Sequence, residues 1–399
     1  MRNSWWVATL ALATVAGPAR AQDGPSQAAI ERYLTALEAA DPVICQDVAD
    51  AFGNFWWGSW PDVGIGEFGD RLAGVRARRD SVRSRVRDPR ALDYLVEKLG
   101  SDNPCARRVA AKMLGRAQGS QPRLLAALGA ATPRVREAAL YGLGVLEDPT
   151  TRERLERATG DADPAVAAMA AWAVGEIEDS RSIGTLTKLL SHRSDRVRQS
   201  AIWALGEIED PKAVEALLPL LKDSDPVTKI LAAGALGDIE SLAATTALMP
   251  LVSESDERVR LAAVHALGQI EDRRALPALA KALGDRSLEV RRAAAQAIGE
   301  LDDVETAPAA LVAAMSADDL ELRRAAVQAV GAIEDPATAD ALGGMVSDPD
   351  VEVRRAAVEG LKSIDHPNVA RWLMRALKDE DTEVRRAAAE GLGERRKHD

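Results

Sequence analysis

A glycine recurs at a fixed step along most of this chain. It closes a Leu-Gly, Ile-Gly or Val-Gly pair at Gly115, Gly144, Gly175, Gly206, Gly237, Gly268, Gly299, Gly331 and Gly393, and Lys362 takes its place once. The interval is 29 residues, then 31 repeatedly, with a single 32. Fixed-period self-similarity of this length marks one supersecondary unit copied along the chain. Each unit reads as two helices. In "DPKAVEALLPLLKD" (210–223), Asp210 is placed to cap a helix and Pro211 to open it. Val214, Leu217, Leu218 and Leu221 then fall at i, i+3, i+4 and i+7 on one apolar face. In "DRVRQSAIWALGEIED" (195–210), Val197, Ala201, Leu205 and Ile208 line a second face. No strand-like alternation occurs. Helix pairs this short cannot bury their apolar faces alone, so neighbours must cover them. The pattern predicts an all-α chain, an α-solenoid with a period of about 31 residues.

The best-matched units, "DERVRLAAVHALGQIED" (256–272), "LEVRRAAAQAIGELDD" (288–303) and "LELRRAAVQAVGAIED" (320–335), share a D-P-x-V-R-x-A-A-x-A-L-G-x-I-x-D consensus. That consensus resembles the short bacterial HEAT-like repeats of the phycobilin-lyase (PBS lyase) type, over roughly residues 88–394. The resemblance implies stacked two-helix repeats, a fold used by scaffolds, inhibitors, adaptors and a few enzymes. It also implies a role for the arginine eight positions before the glycine: Arg107, Arg136, Arg198, Arg260, Arg291, Arg323, Arg354 and Arg385. These resemble the HEAT arginine that pairs with an aspartate of the preceding turn, here Asp163, Asp225, Asp256, Asp319, Asp350 and Asp381. The chain divides into a leader (1–21), a helical N-terminal cap with a degenerate first unit (22–87), the repeat solenoid (88–394) and a polar tail (395–399).

The first residues, "MRNSWWVATLALATVAGPARAQD", have a positive start at Arg2, an apolar run over 5–17 and a small-x-small site at Ala19-Arg20-Ala21. This is the pattern of a secretory signal peptide, so a mature chain starting near Gln22 is expected in a bacterial periplasm or outside the cell. The apolar run is too short to span a bilayer as a helix, and no transmembrane segment is expected after cleavage. The sequence has 51 Lys+Arg against 62 Asp+Glu; without Arg2 and Arg20 this becomes 49 against 62, a net charge of −13. An acidic chain opposes nonspecific nucleic-acid binding, which needs cationic surface facing phosphate. Cys45 and Cys105 are the only cysteines. In an oxidising compartment they can pair, closing a loop of about 60 residues worth roughly 4 kcal/mol through the unfolded state. Two buried thiols are the alternative.

Catalytic patterns are sparse. "GIGEFG" (64–69) matches G-x-G-x-x-G but follows a Trp-Pro-Asp turn in a helical chain, not a strand, so it reads as loop glycines. The four histidines, His192, His265, His366 and His398, share no metal-ligand spacing with the cysteines. No His-Glu dipeptide of the kind that HEAT-fold iron hydroxylases use is present. No catalytic residue, cofactor or metal is expected. The expected function is a non-catalytic scaffold binding a protein or extended peptide in the concave groove of the solenoid. A lyase- or isomerase-like enzyme holding a flat ligand, and a structural module of an envelope assembly, are the alternatives.

Binding residues are sought on the second helices, opposite their buried side. Three before the glycine, the sequence runs Lys112, Tyr141, Trp172, Trp203, Gly234, His265, Gln296, Gln328, Glu359, Glu390. Seven before it, the sequence runs Arg108, Glu137, Ala168, Gln199, Ile230, Leu261, Arg292, Arg324, Arg355, Arg386. The middle of this surface is apolar, and Tyr141, Met169, Trp172, Gln199, Trp203, Ile230, Leu231, Leu261 and His265 are the candidate partner-binding residues. At a helix spacing of about 8–10 Å, Tyr141, Trp172 and Trp203 would form a ladder matched to a polyproline-type peptide rising about 9.3 Å per three residues. Alternatively the rings fold onto neighbouring repeats. Towards the C-terminus, Arg355–Glu359 and Arg386–Glu390 are spaced as i,i+4 ion pairs.

"AFGNFWWGSWPDVGIGEFG" (51–69) holds Phe52, Phe55, Phe68, Trp56, Trp57 and Trp60, in a chain with 4% aromatics. Its position before the first clear repeat suits an aromatic-rich end cap; a ligand pocket and a partner-facing patch are the other readings. "DRLAGVRARRDSVRSRVRD" (70–88) carries seven arginines and an apolar stripe of Leu72, Val75, Val82 and Val86. It reads as a solvated flank, with anionic headgroups as the alternative ligand.

Overall fold

A computed structural model describes residues 27–38 and 86–395. The leader, Cys45, the 51–69 aromatic stretch, most of the arginine-rich segment and the last four residues of the tail lie outside the described residues. Those residues form 21 α-helices with short 3-10 turns between them and, among them, no strand. They divide into two compact units at Ala213/Val214.

The N-terminal unit opens with α1 (Gln27–Glu38), which packs on α2 (Pro89–Lys98) and α3 (Pro104–Arg116). Three further pairs follow: α4 (Gln121–Ala127) with α5 (Pro133–Leu146), α6 (Arg152–Ala158) with α7 (Pro164–Gly175), and α8 (Ile183–Leu189) with α9 (Asp195–Glu207). The second helices α3, α5, α7 and α9 lie side by side in chain order, each against the next. In the C-terminal unit the second helices are α11 (Pro226–Asp238), α13 (Glu257–Gln269), α15 (Leu288–Glu300), α17 (Leu320–Ile333), α19 (Val351–Ser363) and α21 (Thr382–Arg395). They stack in the same sequential way. Their first helices are α10 (Val214–Leu217), α12 (Thr245–Leu248), α14 (Leu276–Ala282), α16 (Ala309–Ala314), α18 (Ala339–Met345) and α20 (Val369–Ala376).

The predicted stripe Val197, Ala201, Leu205, Ile208 is buried. The first helix of 210–223 is not continuous. Asp210 does cap it, accepting from the Lys212 amide at 2.9 Å, but Pro219 has no amide proton to continue the ladder. The segment therefore splits into a 3-10 turn (Pro211–Ala213), α10 and a second 3-10 turn (Leu218–Lys222), leaving Leu218 only half-buried. Pro250 does the same after α12, where a 3-10 turn runs Met249–Ser253.

Two devices hold one repeat to the next. The first is close approach at the recurrent glycine. A Cβ on Gly268 would sit 2.9 Å from the Ala297 Cβ, and one on Gly299 would sit 3.0 Å from the Ala329 Cα. This explains the Ala-x-Gly pattern of four repeats: at Gly175, Gly237, Gly268 and Gly299 the alanine two before the next glycine receives the glycine of the repeat before. The backbone then turns through a left-handed residue (Glu147, Glu178, Glu209, Glu240, Glu271, Asp303 or Glu334, φ 51–56°). Acidic residues hold this conformation although it costs a non-glycine residue about 1–2 kcal/mol.

The second device is the arginine ladder, and it runs opposite to the sequence expectation. Each arginine gives Nη1 to backbone carbonyls of its own preceding turn, such as Arg354 to Asp348 O at 3.0 Å and Pro349 O at 3.2 Å. In four of the eight the other edge reaches forward to a carboxylate of the next repeat, whereas Arg198 turns back to Asp195 of its own helix. Arg136 pairs with Asp161, Arg260 with Asp285, Arg323 with Asp348 and Arg354 with Asp379, at 2.7–3.0 Å. Asp163, Asp225, Asp256, Asp319, Asp350 and Asp381 instead cap their own helices or lie at their starts, five of them accepting from helix amides where a cap is formed and Asp381 from the Val384 amide. Three of them form a second rung with the following arginine of the preceding repeat: Arg292–Asp319, Arg324–Asp350 and Arg355–Asp381. The Arg355–Glu359 pair does not form; Arg355 bonds Glu352 and Asp381, and Glu359 bonds Lys362. Forward carboxylates win because they present both oxygens to the guanidinium fork. Arg386 does lie 3.9 Å from Glu390.

Hydrogen bonds from Arg292 and Arg324 hold Asp319 and Asp350 at about 2, and Arg181 and Arg274 do the same for Asp179 and Asp272. A depressed folded-state pKa favours the fold only while the carboxyl is ionised. That contribution is complete above about pH 4 and is lost as pH falls through about 2. The thermal unfolding midpoint is therefore expected to drop between pH 4 and pH 2, and to drop less in an Arg292→Gln, Arg324→Gln variant. Equal drops in the two proteins would remove the ladder from the acid response.

Candidate protein-binding face

The second helices bury one side against their first helices and their neighbours, and keep one side free. In the N-terminal unit this free side is organised by α7, whose sequence "PAVAAMAAWAVG" is almost entirely small. Every residue from Val166 to Gly175 is buried except Trp172. Its neighbours close over it, so that Arg196 of α9 reaches Glu137 of α5 at 3.2 Å, 59 residues apart in sequence. Burial pushes the Glu137 carboxyl up, against the opposing pull of Arg196 and Arg107. On α3, burial pushes the Arg107 and Arg116 guanidinium groups down, and Lys112 is buried.

One stretch further along the same helices, Tyr141, Trp172 and Trp203 stack on one another. Tyr141 and Trp172 have centroids 5.3 Å apart and planes at 27°; Trp172 and Trp203 are 6.3 Å apart at 22°. This is tighter than the 8–10 Å ladder expected from helix spacing. Trp172 and Trp203 lie over the preceding repeat, where the recurrent glycine leaves room. A Cβ on Gly144 would overlap the Trp172 ring, and one on Gly175 would come within 3.1 Å of Trp203. The rings thus pack on neighbouring repeats and on each other, with no slots between them for successive peptide side chains. Tyr141 is only 5% exposed, while Trp172 and Trp203 keep half-exposed edges.

The other candidates sort unevenly. In the N-terminal unit Met169 is buried and Gln199 half-buried; in the C-terminal unit Leu261 is buried, Ile230 and Leu231 are half-buried, and His265 is exposed. Burial withdraws Tyr141, Met169 and Leu261 as direct contacts, because their positions face packed alanine-rich helices more closely than helical-wheel geometry implies. Cys105 is disulfide-bonded; Cys45, the other cysteine of the sequence, lies outside the described residues. The Glu137–Arg196 strap was not anticipated, although the alanine run of α7 carries its signal. Among the described residues no group of three or more His, Cys, Asp or Glu is gathered to hold a metal ion, and no helix is long and apolar enough to cross a membrane.

If the stack is a packing element, disturbing it costs stability. Trp172→Ala is expected to lower stability by about 3 kcal/mol, and Gly144→Ala to lower it by about 1–3 kcal/mol through overpacking, both measured by urea unfolding. A near-neutral Trp172→Ala would return the ring to the role of a free surface group.

Among solved structures, the chain resembles importin beta crystallised in an ammonium sulfate condition, with a TM-score of 0.59 and 16% identity over 98% of this chain and 60% of that one. It also matches an engineered protein (TM-score 0.49, 21% identity, 77% of this chain and 98% of that one). A third match is the complex of CpcE and CpcF of phycocyanin lyase from Nostoc sp. PCC7120 (TM-score 0.37, 24% identity, 61% of this chain and 94% of that one). At 16% identity the likeness to importin beta speaks to the fold alone. No curated protein matches the sequence. The family model of HEAT repeats matches residues 121–205, 151–233, 183–268, 214–287, 245–331, 281–350 and 344–399. The matches overlap to cover the chain continuously from residue 121 to its end, and the protein belongs to the HEAT-repeat family.

Proposed function

We propose that this protein is a non-catalytic scaffold that binds another protein on the free face of its second helices. The observation that carries the reading is the pair of half-exposed indole edges, Trp172 and Trp203, beside Gln199 and the Glu137–Arg196 strap. Large aromatics left partly open on a surface of small residues favour apolar contact with a partner, and a neighbouring ion pair supplies a polar rim. Because the rings are stacked on each other, the partner lies across their edges; a proline-type segment inserting one side chain per repeat does not suit this spacing. Ile230, Leu231 and His265 offer a comparable mixed surface on the C-terminal unit. HEAT-repeat solenoids such as importin beta share the architecture, which supports a binding role without naming a partner.

We also infer export. The leader pattern of residues 1–21 supports it, and so does the disulfide at Cys105, since disulfides persist in oxidising compartments. Cys45 is the partner this reading requires.

A photo-crosslinking amino acid at Gln199, compared with one at Lys188 on the exposed side of α8, tests the binding reading in envelope extracts of the producing cell. Adducts from position 199 and none from 188 are expected. Adducts from 188 alone, or equal adducts from both, would move binding off this face.

A further inference from the structure

Among the described residues three tryptophans lie over glycines, in two orientations. Trp372 of α20 sets its five-membered ring on Gly343 and donates Nε1–H to Asp340 at 2.9 Å. Trp172 and Trp203 instead turn Cζ3 of the six-membered ring towards Gly144 and Gly175. In both, the end of the indole turned away from the glycine is the five-membered ring, which carries Nε1. Trp172 is stacked against Tyr141 and against Trp203, so its half-exposed surface is the edge that bears the N–H. Among the described residues, neither of these indole N–H groups makes a hydrogen bond, and neither does the side-chain amide of Gln199, one helical turn before Trp203. The Glu137 carboxylate of the same face, by contrast, is paired with Arg196.

The spacing of the two donors selects their acceptors. The indoles share one register over their glycines, with planes 22° and centroids 6.3 Å apart. Equivalent atoms, Nε1 included, are therefore offset by about one ring separation. An extended strand rises about 3.3 Å per residue and shows the carbonyls of residues i and i+2 on one edge, about 6.6 Å apart. A polyproline helix returns a carbonyl to the same side only after three residues, about 9.3 Å. A flat ligand finds no slot, because Trp172 is already stacked on Tyr141 and Trp203.

We propose that Trp172 and Trp203 hold a strand-like segment of another protein by its main chain. Each indole N–H donates to one of two carbonyls two residues apart, and the segment runs across α7 and α9. The Gln199 amide, which carries both a donor and an acceptor, takes a further main-chain group beside Trp203. Main-chain hydrogen bonds give affinity without reading side chains, so the partner is defined by a segment free to extend. The proposal rests on the Trp172–Trp203 face being the binding face and gives that face its ligand geometry.

The probe is a linear peptide of about a dozen residues, selected on the full chain from a displayed random library. Its affinity is compared between the wild type and a protein with Trp172→β-(3-benzothienyl)alanine and Trp203→β-(3-benzothienyl)alanine, where sulfur replaces the N–H and the fused ring is kept. With the thermal midpoint unchanged, affinity is expected to fall at least about tenfold. In a second measurement, on the wild type, backbone esters weaken single carbonyl acceptors of the peptide. Binding should suffer at two carbonyls two residues apart and not at the one between, and this scan decides if the altered protein is less stable. Equal affinity for the two equally stable proteins, ester sensitivity three residues apart, or a selection that yields no peptide would each overturn the proposal. A peptide that crosslinks from position 199 but ignores the missing N–H groups would overturn it and leave the binding face standing. One that crosslinks only from position 188 would remove the face as well.

Discussion

In four of the second helices, α5, α13, α17 and α19, an arginine near the start ties two turns together. One edge of its guanidinium holds the carbonyls of the turn behind it, and the other edge holds the carboxylate of the turn ahead. A single side chain therefore fixes the geometry inside a repeat and the register to the next. The fork shape matters here, because lysine could satisfy one of these demands but not both. Where the forward position does carry lysine, at Lys229, it reaches Glu254 at 2.7 Å and no carbonyl bond accompanies it. Where the forward position is not a carboxylate, as at Ala317 ahead of Arg291, only the carbonyl bonds at Asp285 and Arg286 remain.

With register fixed this way, the recurrent glycine can be used for close approach, and the residue that fills the space decides local character. Over most of the C-terminal unit an alanine or glycine backbone enters, and the surface there is a mesh of ion pairs. In the N-terminal unit Trp172 enters over Gly144 and builds a stack with Tyr141 and Trp203. The same glycine thus supports a tight helix contact in one place and an aromatic seam in another. Function is proposed at the seam because there a packing solution leaves large apolar edges open.

Much of this was legible in the sequence. The 31-residue period gave the fold class, the pairing of helices and the buried stripe of α9, because a repeated apolar pattern has one packing solution. The acceptors of the rungs that form were also present, 25 to 27 residues after their arginines, but the family expectation placed them behind rather than ahead. Sequence spacing does not distinguish two turns that lie equally near in the stack. Pro219 and Pro250 were visible as residues, yet the apolar spacing around them reads as continuous helix until the missing amide is counted. The aromatic residues were correctly placed on one column. Whether they stood apart or stacked depended on the space over Gly144 and Gly175, which a helical wheel does not contain.

The account rests on the forward direction of the ladder, and a double-mutant cycle at Arg354 tests that most directly. Arg354→Met is combined separately with Asp379→Asn, the turn ahead, and with Asp350→Asn, the cap of its own helix, and unfolding free energies are measured for each. A coupling of about 1–3 kcal/mol with Asp379 and one near zero with Asp350 is predicted. Coupling to Asp350 with none to Asp379 would reverse the ladder and contradict the account.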